Sequence, residues 1–201
     1  MWKSRPPRTS SRHRLPTGIA LLVTLVLGVI SWNGRDRRPP RPPVAEAPQP
    51  PESGEFIEGA VVGIADGDTV TVLDASNRKY KIRLLGIDAP EKAQPFGKVA
   101  KQVLSDRIFE KRVRVQVKAQ DRYGRTLGKV LLDGVDINLE MLKEGLVWHY
   151  KHYADSQFPG DAERYAQAET TARSARVGLW DYPNPTEPWN WRQEQKRSSR
   201  R

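Results

Sequence analysis

The chain has 201 residues, room for one ordinary domain with extensions, and a formal charge of +10. It has no cysteine and three histidines (His13, His149, His152), which excludes disulfides, thiolate metal sites and a thiol nucleophile and leaves little for zinc. A metal in this protein would be a hard ion on oxygen ligands. The positive charge sits in the tails: residues 1–50 carry nine Lys/Arg against two acids and residues 191–201 five against one, so the segment between is nearly neutral. Net charge is therefore weak support for a nucleic-acid partner.

Residues 1–14 are basic, with Lys3, Arg5, Arg8, Arg12 and Arg14 and no acid. Leu15 to Gly34 then carries no charge, around an apolar centre from Ile19 to Ile30. A bilayer-crossing helix needs about 20 residues, a secretory apolar region about 7–15. The apolar centre alone suits a cleaved signal, and the whole stretch suits an anchor. No small-x-small cleavage pattern follows directly, since Ala45-Glu46-Ala47 lies beyond a proline-rich run. The expectation is a transmembrane anchor over 15–34, with a secreted, signal-cleaved form as the alternative. Arg35, Arg37, Arg38 and Arg41 follow the span, so the positive-inside contrast is small. The expected orientation leaves the main domain outside the cytoplasm, periplasmic or extracellular. Residues 35–55 read as a Pro-rich linker with polyproline character.

From Phe56 the pattern is strand-like. Phe56 to Ile64, Thr69 to Leu73 and Lys79 to Leu85 are short β-branched or alternating runs, punctuated by Asp66-Gly67 and Ser76-Asn77. Val99, Val103, Leu104 and Ile108 recur at helical spacing between Pro95 and Glu110. Arg112 to Lys118 alternates strictly, with Val113, Val115 and Val117 on one face, and Thr126 to Leu132 is a fifth strand. Ile137 to Glu144 reads as a helix closed by Gly145, and Asp161 to Arg176 as another closed near Gly178. Five strands and three helices with tight early turns predict a small, mostly antiparallel barrel with helices packed against it, an α+β, mostly β class. Trp189 and Trp191 are expected to pack back on the domain, and the basic end, Lys196 to Arg201, to be disordered. This C-terminal tail, residues 183–201, could add salt-sensitive attraction to nucleic acid or anionic lipid.

Two acidic turns stand out: Asp66-Gly67-Asp68-Thr69, and Asp88-Ala89-Pro90-Glu91 after the strand that holds Arg83. Each alone is an ordinary solvated turn. Together, at strand ends of one small barrel with an arginine between them, they suit phosphodiester hydrolysis. That reaction needs a hard cation, cationic donors for the transition-state charge, and a group that orients or deprotonates water. Arginine's planar fork binds phosphate oxygens bidentately, and Asp121-Arg122-Tyr123-Gly124-Arg125 offers a second one at a turn between strands.

These three segments, in this order and at these separations, resemble the staphylococcal-nuclease-like family. The likeness covers roughly residues 56–182, including the closing Val177-Gly178-Leu179-Trp180. It implies a five-stranded OB-fold barrel with three helices, expected to be monomeric, that cleaves DNA and RNA with little base specificity and leaves 3′-phosphates. Residue by residue, it implies Asp68, Asp88 and the backbone carbonyl of Ala89 as ligands of Ca²⁺, with Asp66 close to the ion. Arg83 and Arg125 match the phosphate-binding arginines, and Glu91 the glutamate that orients or deprotonates water. Ala89 stands where the best-known member has threonine, which costs a hydroxyl but not a main-chain ligand. Tyr123, Tyr150 and Tyr153 are the candidate contacts to the nucleotide. For Trp148, core packing and base stacking are equally open readings. His149 and His152 are not offered as a metal pair. A membrane-tethered binding module without catalysis is the competing class, and Glu91 argues against it.

Overall fold

Alternation at Val113, Val115 and Val117 places every second side chain of one strand in an apolar interior, and the other strands repeat the device. The computed structural model describes residues 52–199, which belong to one compact unit. The expected 15–34 span lies outside the described residues. Among those described, no helix is long and apolar enough to cross a membrane.

Five strands form the barrel: β1 (Phe56–Ile64), β2 (Thr69–Asp74), β3 (Lys79–Leu84), β5 (Arg112–Gln120) and β6 (Thr126–Leu132). Their order is β3-β2-β1-β5-β6, antiparallel throughout, and a parallel β3–β6 pairing closes the ring. Val61, Val70, Val72, Ile82, Val115, Val117 and Val130 fill the interior without measurable exposure. Burial of a side chain of this size contributes about 1.5–3 kcal/mol, so this layer carries much of the fold's stability. Helices α1 (Gly97–Ile108), α2 (Ile137–Lys143) and α3 (Asp161–Ser174) cover the barrel, giving it Leu104, Ile108, Ile137, Met141 and Tyr165. Asp136 caps α2, accepting from Leu139 N at 3.1 Å, and also accepts the Tyr165 hydroxyl. The eight predicted elements therefore stand, with ends moved by at most a few residues.

Short elements escaped the sequence patterns. β4 (Ile87–Asp88) pairs with β8 (Trp148–His149), and β7 (Val135–Asp136) pairs with β6. Two residues are too few to show a period. The basic end differs more: α4 (Pro188–Ser198) is a helix that includes Lys196 and Arg197, where disorder was expected. Pro188 opens it at a position where its missing N–H costs nothing. Trp189 does pack back, edge-on to Trp148 at 5.9 Å between ring centroids.

One close approach fixes the loop after β4. A Cβ on Gly97 would lie 1.9 Å from the Glu91 carbonyl oxygen. Gly97→Ala is therefore expected to force the Pro90–Glu91 backbone off α1 and destabilise the fold by about 1–3 kcal/mol. Urea unfolding checks this, with a lower midpoint at unchanged slope expected; a midpoint equal to wild type would contradict the packing.

Candidate active site

Gly67 lets the first acidic turn lie against the barrel's helical cover, because a Cβ there would come within 2.7 Å of Ala100 Cβ and 2.9 Å of Ala89 Cβ. Asp66 accepts from Asp68 N at 3.1 Å, closing the turn on itself. Asp68, 2 % exposed, then points inward: its carboxylate accepts Ala89 N at 2.7 Å and the Thr69 hydroxyl at 2.9 Å. The second acidic turn is held independently by the β4–β8 pairing, which sets Asp88 opposite Trp148. Asp88 is 1 % exposed.

Arg83 bridges the two turns. From β3 it pairs with Asp68 and, through Nη2 at 2.7 Å, with Asp88 Oδ1. Two buried carboxylates on one guanidinium are expensive to desolvate unless fully paired, which is the condition met here. Arg125 enters from the β5–β6 hairpin. Asp121 fixes it there, accepting Arg125 Nε at 2.7 Å with one oxygen and the backbone N–H groups of Tyr123 and Arg125 at 2.9 Å with the other. Burial alone would raise the Asp121 pKa, but the hydrogen bonds from Arg125 and Tyr123 outweigh it and hold the carboxyl below its usual range.

These groups line one cleft of about 1010 Å³. Asp66, Asp68, Arg83, Asp88, Ala89, Glu91, Tyr123, Arg125, Tyr150 and Tyr153 all border it, so every sequence-derived candidate reaches the same space. Tyr123 is 68 % exposed at the hairpin tip, and Tyr153 is 49 % exposed beside Tyr150 (5.1 Å between ring centroids, edge-on). Burial, followed by the Asp88 charge, pushes the Tyr150 hydroxyl above its ordinary pKa, so this ring stays neutral. Trp148 is core: it is 3 % exposed and packs edge-on against Trp180 at 4.4 Å. His149 is buried against Gln157 (3.0 Å), and burial lowers its pKa.

Sequence reasoning missed part of the cleft. Lys118, Arg122, Arg192 and Lys196 also line it, giving six cations to five carboxylates. Arg192, on α4, donates from Nη2 to Asp88 Oδ2 (2.7 Å) and from Nη1 to Glu91 Oε1 (2.9 Å) and Asp88 Oδ1 (3.2 Å). Burial opposes charge on Arg192, but the hydrogen bonds and charges of Asp88 and Glu91 outweigh it and hold its pKa above the ordinary value. The signal that could have found Arg192 is its i, i+3 spacing from Trp189, which puts the two on one face if the segment is helical.

The donor set suits a hard divalent ion. It consists of oxygens alone: two adjacent buried carboxylates, with the Ala89 main chain next to Asp88. Among the described residues no three His, Cys, Asp or Glu side chains group as a metal cage. An ion here would thus complete its shell with water and a bound phosphate, as such ions commonly do.

A small barrel with carboxylates and arginines converging in one cleft suits phosphate-ester chemistry. Residues 81–182 match the family model described as staphylococcal nuclease homologue. An uncharacterized endonuclease of Haemophilus influenzae is 46 % identical over 136 residues, covering 68 % of this chain and 73 % of its own length. A micrococcal nuclease of Shigella flexneri is 43 % identical over 152 residues (71 % and 84 %). A probable staphylococcal-like nuclease of Oryza sativa is 44 % identical over 119 residues, 59 % of this chain and 34 % of that one. The chain belongs to the staphylococcal nuclease family and is a hydrolase, an endonuclease.

Asp121 can be tested as the group that positions Arg125. Asp121→Asn keeps an acceptor for the hairpin backbone but offers an amide to Arg125 Nε. Nuclease turnover is expected to fall roughly 10-fold or more, in line with about 1.5–3 kcal/mol for a hydrogen bond to a charged group. Thermal unfolding should stay near wild type; an unchanged rate would show that Arg125 needs no such anchor.

Proposed function

We propose that this nuclease is Ca²⁺-dependent and hydrolyses DNA and RNA with little base specificity, releasing 3′-phosphorylated ends. The observation that carries the reading is the convergence of buried Asp68 and Asp88 on Arg83, in a cleft that Glu91 and Arg125 also line. Asp68, Asp88 and the Ala89 carbonyl would hold the ion, which supplies charge neutralisation at the phosphate and polarises its oxygens. The chain's own residues do the rest. Arg125, and Arg83 once an ion shares Asp68 and Asp88 with it, would each offer a planar fork to the non-bridging oxygens, with more to gain as charge builds in the transition state. Glu91 accepts a hydrogen bond from the attacking water and orients it. Water attacks phosphorus, the bond to the 5′ oxygen breaks, and a 5′-hydroxyl and a 3′-phosphate result.

Weak base specificity follows from where the contacts fall. Phosphate and metal contacts position a strand without reading it, and the exposed rings of Tyr123 and Tyr153 offer stacking that every base accepts. The membrane segment at 15–34 and a location outside the cytoplasm belong to the same proposal. Their support is the uncharged 20-residue stretch and the spacer after it, and a Ca²⁺-rich compartment suits a site with few protein ligands.

The test is digestion of single-stranded DNA and RNA by the wild type, with Ca²⁺ or a chelator, beside Glu91→Gln. Expected are cleavage of both polymers, its loss in chelator, and a drop of about 100-fold or more in the variant, within the usual range for a group handling a proton. New 5′ ends should accept label from a polynucleotide kinase without prior phosphatase treatment. Full activity in chelator, or ends carrying 5′-phosphate, would overturn the reading.

A further inference from the structure

α4 follows the family-matched span and lies across the cleft by one face. Trp189, Arg192 and Lys196 recur at helical spacing, and all three meet site residues or line the cleft. The contacts of two of them are specific. The Arg192 guanidinium is bidentate on Asp88 and also binds Glu91, engaging a carboxylate proposed for the ion together with the one proposed for water. The Trp189 indole stacks on Tyr150, 5.4 Å between centroids and 16° from parallel, a ring expected to meet the nucleotide.

We infer that α4 is a C-terminal latch that closes the active site: Arg192 takes the place of the cation's charge, and Trp189 the place of a base on Tyr150. The inference rests on the cation and phosphate reading above. Three features support a latch over a fixed wall. Asp88 has two oxygens; Arg83 and Arg192 share Oδ1 and Arg192 holds Oδ2, so an ion can approach this carboxylate freely only once Arg192 withdraws. Pro188 is the sole fully buried residue of α4, and the main apolar contact beyond it is the half-buried Trp189 on Tyr150 and Trp148, so few apolar contacts oppose its release, the condition for a segment that opens locally. Anchorage sits just before its start, where Gln94 Nε2 donates to Thr186 O at 2.5 Å; the helix can therefore swing about this end without leaving the domain. With Arg192 withdrawn, Asp88 would be open to a divalent ion and Glu91 to water, and with Trp189 displaced Tyr150 would be open to a base.

The reading opposed to this makes Arg192 a third phosphate-binding arginine, and the two differ in sign. Calorimetric Ca²⁺ titration of the full chain and of Arg192→Gln is the first arm, with hydrogen exchange of the 187–199 peptide, with and without Ca²⁺, as the second. A latch requires the variant to bind Ca²⁺ on the order of tenfold more tightly, because one charged competitor for Asp88 is gone. It also requires α4 amides of the wild type to exchange faster with Ca²⁺ bound, and cleavage by the variant at limiting Ca²⁺ to match or exceed wild type. Equal affinities, or weaker binding with slower cleavage in the variant, would overturn the latch and leave the cation site standing. If neither protein bound Ca²⁺ at millimolar levels, the cation reading and the latch would both fail. Trp189→Ala, with α4 helicity checked by circular dichroism, gives a second variant that should also speed exchange in α4.

Discussion

The buried carboxylate of Asp68 is the constraint on which the site depends. It accepts the Ala89 N–H at 2.7 Å and pairs with Arg83, so one side chain ties the β1–β2 turn, β3 and the loop after β4 to a common point. A carboxylate 2 % exposed is tolerable only with its lone pairs engaged. The bonds that make its burial possible therefore also fix the distance between the two acidic turns. Gly67 and Gly97 serve the same end from outside: each leaves out a side chain where backbone or methyl groups approach too closely for one.

The electrostatic balance of the cleft explains why the site suits catalysis better than binding alone. Six cations against five carboxylates leave a small positive balance without a metal. A divalent ion would raise it sharply, just where a polyanion must enter. A binding module for phosphate gains nothing from carboxylates lining its cleft, since each one repels its ligand. Under the proposed function the carboxylates are useful, recruiting an ion and handling water.

Much of this was legible in the chain because the signals are local. Val113, Val115 and Val117 announce a strand with one buried face, and Thr126 to Leu132 was assigned to the residue. The three motifs could be read as turns at strand ends, and the cleft does collect all of them. What local pattern does not carry is distance across the fold. Pairing of Ile87–Asp88 with Trp148–His149 involves two residues on each side, too short for any period. α4 is polar around most of its surface, so its sequence looks like a solvated tail, and its order comes from Trp189, Pro188 and an ion pair reaching back 104 residues from Arg192 to Asp88. Trp148 illustrates the reverse case: two readings were open, and tertiary packing against Trp180 made it core.

A crystal structure of the protein with Ca²⁺ and a short phosphorothioate oligonucleotide tests the central claim most directly. The proposed function predicts an ion held by Asp68 and Asp88, a phosphate in contact with Arg83 and Arg125, and Glu91 beside the attacking water. An ion bound elsewhere, or a phosphate held without contact to either arginine, would contradict the assignment of this cleft as the place where the phosphodiester is cut.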